Sequence, residues 1–148
     1  MTRTDATTLT DALERVAERS FFAWVEPMPV PVTRPDTAGW HHAEVGFHGD
    51  FHGRMTFSLP RPLAHDLHAA FLGQSPDEPI DEAPLRDLLG EFANMTCGNW
   101  LTHVHGAHRF ELDQPDATVP APSAAPAAAA LVNDHPVFIT LVFEDGPR

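Results

Sequence analysis

Residues 40–59 hold two runs of alternating character on either side of His48-Gly49-Asp50, and no other segment limits the fold as tightly. Trp40 to Phe47 and Phe51 to Leu59 read as paired antiparallel strands, with Phe51, Gly53, Met55, Phe57 and Leu59 on one face, because strand side chains alternate with period two. A hairpin with one apolar face needs something to cover that face. Two further strands are expected, at His108 to Leu112 and at Val137 to Glu144. The second is apolar on consecutive residues, which fits a central strand buried on both sides. Pro27, Pro29 and Pro31 force an extended path that suits an edge strand or the lead into one, since each proline removes a ladder donor.

The cover is helical. Leu9, Leu13, Val16, Ala17, Phe21 and Trp24 recur at helical spacing behind Asp5 or Thr8 as a cap, and the proline run is expected to end that helix. Pro62 suits the first turn of a second helix bearing Leu63, Leu67 and Phe71, closed by Gly73. A third helix starts near Asp81 or Pro84 and runs to about Thr102. Gln114 to His135 is rich in Pro and Ala and reads as a loop or short helix. One domain spanning residues 1–148 follows, of α+β class: an antiparallel sheet with two long helices packed on it and an Ala/Pro-rich loop at about 114–135.

Composition removes several function classes. The formal net charge is −12, and all nine basic residues are arginines spread along the chain, which excludes an unassisted nucleic-acid binder. With no lysine there is no Schiff-base nucleophile. Cys97 is the only cysteine, so neither an internal disulfide nor a thiolate zinc cluster is available, and it reads as a small buried apolar residue. No stretch of about 18 apolar residues and no leader-like N-terminus is seen, so a cytoplasmic protein without membrane partners is expected. Ten histidines, among them His41-His42, His48 with His52, and His103-x-His105 with His108, raise a metal-binding reading. Histidines scattered over the surface are the simpler account, and no metal ligand is assigned.

The third helix carries a polar stripe that core packing does not explain. At 100° per residue, Asp87, Glu91 and Asn94 fall within a wedge of about 60°, while Leu85, Leu89, Phe92 and Thr96 point away. Gly90 and Gly98 border the stripe although glycine inside a helix costs roughly 1 kcal/mol against alanine, which suggests that another surface approaches closely there. Solvated side chains on an exposed face are the ordinary alternative.

The spacing Asp87-x3-Glu91-x2-Asn94, followed by Met95 and Gly98-Asn99, resembles the Asp/Ser-x3-Glu-x2-Asn signature of the CheC/CheX/FliY chemotaxis phosphatases, in particular the CheX-like branch. Residues 45–58 resemble the glycine-rich hairpin that precedes the motif in that family. The resemblance implies a CheX-like fold and a protein substrate, the phosphorylated receiver domain of a response regulator. It further implies that Asn94 enters the receiver's site and orients the attacking water, that Glu91 pairs with the receiver's lysine, and that Asp87, Gly90 and Gly98 belong to the partner-binding surface. No cofactor of the chain's own is implied; Mg²⁺ is expected on the partner receiver. A single motif per chain suggests a homodimer through sheet edges, which the proline run opposes at one edge. Trp100 departs from the family's small or polar residue after Gly-Asn, and the family's downstream proline has approximate counterparts in Pro115 or Pro120. A receiver-binding or dimerisation module of the same fold without catalysis is the alternative, because a fold alone does not grant activity.

Overall fold

The computed structural model describes residues 3–75 and 77–144. Three helices, α1 (Arg3–Phe21), α2 (Arg61–Leu72) and α3 (Glu82–His105), pack on one antiparallel sheet of six strands. The strands are β1 (Val25–Pro27), β2 (His41–Gly49), β3 (Gly53–Leu59), β4 (Phe110–Leu112), β5 (Ala128–Val132) and β6 (His135–Phe143), in the order β1-β5-β6-β3-β2-β4. The expected hairpin is β2–β3, in register from His41 opposite Leu59 to Phe47 opposite Gly53. Its apolar face is the core face: Val45, Met55, Phe57 and Leu59 are fully buried beneath the helices. The continuous apolar run is β6, an inner strand held between β3 and β5.

The other face of the sheet is also covered, by irregular chain rather than by helices. Trp40 stacks on Phe138 at 5.4 Å, and Arg34, Pro35, Pro122 and Pro126 close over Ser58 and Thr140. Ser58 and Thr140 are therefore buried although they point away from the helices, and Ser58 Oγ is hydrogen-bonded to His42 Nδ1 at 2.8 Å. Pairing of this kind keeps a buried polar face from costing the several kcal/mol of an unsatisfied group.

The Ala/Pro-rich stretch differs from expectation. Ala128–Val132 is not loop but strand β5, joined to β6 by the two-residue turn Asn133-Asp134. Both turn residues have positive φ, 48° and 66°, the type I′ geometry whose twist matches that of the flanking strands. Ala128, Ala130 and Val132 face the helices and are fully buried. Their small size lets α1 lie close over β5.

Helix α1 also ends earlier than the proline run implied. Phe21 is its last residue, buried between Phe71 (5.1 Å) and Phe92 (5.2 Å), and Phe22 turns the chain with φ 55°. Trp24 consequently lies outside the helix and is 53% exposed, where its backbone pairs with Asn133. Pro27 sits in β1, at a sheet edge as expected. Thr8 does not cap α1 but lies within it; the Asp5 side chain falls outside what is described. Helix α2 closes as read: Gly73 adopts φ 66°, and Gln74 N–H returns to Ala69 O at 2.8 Å.

Candidate functional site

Helix α3 crosses β2, β3 and β4 and buries Leu85, Leu89, Phe92 and Thr96 against them, so the predicted apolar face is the inner one. The stripe Asp87, Glu91, Asn94 consequently faces outward. Asp87 and Glu91 are exposed, and Asn94 is half-buried. No hydrogen bond or ion pair ties the side chains of Glu91 and Asn94 to any described residue. A carboxylate and a carboxamide one turn apart are thus available to a partner.

The surroundings of this stripe come from elsewhere in the chain. After β4 the backbone keeps company with β2 through Asp113 N–H to Gly46 O (2.8 Å) and a bridge between Glu44 and Asp116, with the register slipped by one residue. The slip swings Pro115 onto α3. A Cβ added at Gly90 would meet Pro115 Cβ at 3.3 Å. Gly90 is buried, and the close surface that its lack of a side chain admits within the chain is Pro115, at the floor of the groove that Asp87 and Glu91 also line. Gly98 is different: it is half-exposed, and an added Cβ would meet only Leu112 Cδ1, at an ordinary 3.5 Å. Of the two prolines offered as counterparts downstream of the motif, Pro115 is the one against the helix.

Two grooves flank the stripe. One runs between α3 and residues 114–118 and holds Asp87, Glu91 and Asp116. The Thr118 hydroxyl and N–H, at 2.6 and 2.8 Å, hold the Asp116 carboxyl below its usual pKa. The other groove runs between α1 and α3 and is lined by Asn94, Gly98 and Asn99 on one wall and Arg15 and Arg19 on the other. Arg15 Nε donates to Asn99 Oδ1 at 2.7 Å. Trp100 is fully buried beneath α1, its Nε1–H donating to Thr8 Oγ1 at 2.9 Å.

The sequence profile described as chemotaxis phosphatase CheX matches residues 42–131, more than half of the chain. The protein belongs to the CheX family. Solved structures share its fold. The CheX of Desulfovibrio desulfuricans superposes with a TM-score of 0.76 at 18% identity, covering 95% of this chain and 99% of the other. For the CheX of Vibrio vulnificus the values are 0.70, 18%, 95% and 99%. A CheX–CheY–BeF3–Mg²⁺ complex from Borrelia burgdorferi gives 0.66 at 16% identity, over 94% and 97% of the two chains. A search of curated protein sequences returns no match.

The histidines do not form a metal centre among the described residues, where no group of three or more His, Cys, Asp or Glu is placed to hold an ion. His41 and His42 point to opposite faces of β2, and His103 and His105 lie in the last turn of α3. His48 is committed to Glu111 (3.1 Å) and Asp113 (3.0 Å), and His108 to Asp50 (3.2 Å). Among the described residues, no helix is long and apolar enough to cross a membrane.

Proposed function

We propose that this CheX-family chain hydrolyses the aspartyl-phosphate of a response-regulator receiver domain, with Asn94 and Glu91 as the working pair. The observation that carries the reading is the pair itself: both side chains stand outward on α3, in the family's spacing, with no partner in the described chain. A receiver already holds its phosphoryl group against a Mg²⁺ and a lysine, so hydrolysis lacks chiefly a positioned water. The Asn94 carboxamide supplies both an acceptor and a donor to place that water in line, and needs no change of protonation to do so. Glu91 pairs with the lysine and fixes the register of the two proteins through a charge-assisted hydrogen bond. Asp87 and Gly98 complete the contact surface, and Mg²⁺ enters with the partner. The Borrelia complex, in which a CheX of the same fold is joined to CheY with BeF3 and Mg²⁺, supports a partner of this kind.

The reading places the protein in the cytoplasm with its receiver. A homodimer through a sheet edge would use β4, because Pro27 and the prolines after it spoil the β1 edge. Sedimentation at micromolar concentration reads that: monomer throughout removes the dimer.

The deciding experiment follows aspartyl-phosphate decay on receivers from the same organism with wild-type protein, Asn94→Ala and Glu91→Ala. Wild type accelerates decay. Asn94→Ala still binds the BeF3-loaded receiver but loses about 100-fold of the acceleration. Glu91→Ala weakens binding. Binding without acceleration by wild type would instead identify a non-catalytic receiver-binding module.

A further inference from the structure

The outward stripe of α3 divides two grooves of opposite charge. Glu91, Asp87 and Asp116 lie in one, with Arg86 at its margin drawn toward Glu82 at 3.8 Å. Arg15, Arg19 and His103 lie in the other, and no carboxylate lines it. Glu91 thus belongs to the acidic groove and Asn94 to the basic one, although the two are less than one helical turn apart.

The basic groove is a built arrangement. Arg15 and Arg19 stand at i and i+4 on α1, where like charges destabilise a helix by a few tenths of a kcal/mol. Neither forms an ion pair with a described residue, even though the chain carries a net charge of −12. Arg15 spends only its Nε on Asn99, at 2.7 Å, which fixes the guanidinium plane and leaves both Nη amino groups without a partner among the described residues. Asn99 is itself half-buried, and its backbone carbonyl oxygen lies 2.9 Å from His103 Nδ1. The second residue of the Gly-Asn pair thereby gains a concrete role, because Asn99 orients Arg15.

We propose that the Arg15–Arg19 groove receives a carboxylate from the acidic rim of the phosphorylated receiver and so sets the docking orientation. This rests on the phosphatase reading above. A receiver's Mg²⁺ is held beside the phosphoryl group by oxygen ligands, carboxylates among them, and the ion's own charge offsets those ligands, so what that side of the site offers an arginine is carboxylate and phosphoryl oxygens, while its lysine makes the other side cationic. Only one orientation satisfies both grooves: lysine over Glu91, carboxylates over Arg15 and Arg19. The reverse orientation sets acid against acid and arginine against lysine. In the matched orientation Asn94, on the dividing line, faces the phosphoryl group between them. Arg15 and Arg19 are specificity residues, and Asn94 remains the residue that touches the water.

The test measures steady-state dephosphorylation of the cognate receiver by wild type, Arg19→Gln, Arg15→Gln/Arg19→Gln and Arg19→Lys, with binding to the BeF3–Mg²⁺ receiver read alongside at low and at several-fold higher salt. Circular dichroism confirms each variant folded; exposed Arg19 serves as the variant least able to disturb packing. The double variant raises KM about tenfold, more than it lowers kcat, and flattens the salt dependence, as expected where charge governs encounter and register. Arg19→Lys restores most of the loss. Unchanged KM and salt dependence in the double variant, with Asn94→Ala still abolishing acceleration, would overturn the groove assignment and leave the phosphatase reading standing. If wild type itself neither binds nor accelerates, the phosphatase reading has failed and the orientation proposal falls with it.

Discussion

Replacing Gly98 with alanine separates a glycine kept for folding from one kept for a partner. Gly98 lies inside α3, where alanine is favoured over glycine by about 0.8–1.0 kcal/mol. The added Cβ finds Leu112 Cδ1 at 3.5 Å, ordinary contact with the end of a flexible side chain, so no steric term opposes the gain. Net stabilisation of about 1 kcal/mol should raise Tm by about 2–4 °C for a chain of this size. Two neighbours calibrate the measurement. Gly90→Ala brings a Cβ to 3.3 Å from Pro115, which cancels much of the same propensity gain, and Gly53→Ala drives a Cβ to 2.6 Å from both Phe47 Cζ and Val142 O and should destabilise clearly. Thermal and urea unfolding, followed by the helical circular-dichroism signal, give the order Gly98→Ala above wild type, Gly90→Ala near it and Gly53→Ala below. A Gly98→Ala protein less stable than wild type would refute the argument. If it is more stable yet docks the receiver several-fold more weakly, the bare position serves the partner.

Other expectations concern buried groups and one turn. Burial lowers the pKa of His41 and His42 from 6.5, so both are neutral in the fold and bind protons more readily when unfolded. Their contribution to stability is complete well above the unfolded value of 6.5 and is lost as pH falls through that value toward the lower folded ones; urea midpoints should decline on acidification through 6.5, and less steeply in His42→Gln. Burial pushes the Cys97 thiol up to about 12, so it should resist thiol reagents at about pH 8 until urea unfolds the chain; fast labelling of the native protein would contradict that. Asp134→Gly, at φ 66° in the I′ turn, should stabilise by about 1 kcal/mol, and a lower urea midpoint would count against that turn geometry.

Legibility in the sequence follows the range of the interaction. The β2–β3 register is readable because large residues alternate with polar ones, and α3 because its buried and outward faces differ in chemistry. Strand β5 is hidden because alanine carries little strand propensity and its neighbours are prolines; the Asn133-Asp134 pair is the local signal that a hairpin lies there. Asn94 and Glu91 stand out as a polar stripe on a helix and, together with the hairpin upstream, through the resemblance to the family's signature. Arg15 does not, since 84 residues separate it from Asn99 and only the packing of α1 on α3 joins them. A close approach at Gly90 is legible in its place inside a helix, but its owner, Pro115, depends on a register slip that no local pattern announces.

The alanines of β5 therefore matter beyond their own strand. Methyl groups at Ala128 and Ala130 form a thin spacer beneath α1, the helix that carries Arg15 and Arg19 into the groove beside Asn94. A valine at position 130 would work as a shim, tilting the helix without touching a single polar residue. The recognition surface proposed on α1 and α3 would in this way be re-aimed from beneath, by altering the depth of a floor rather than the furniture standing on it.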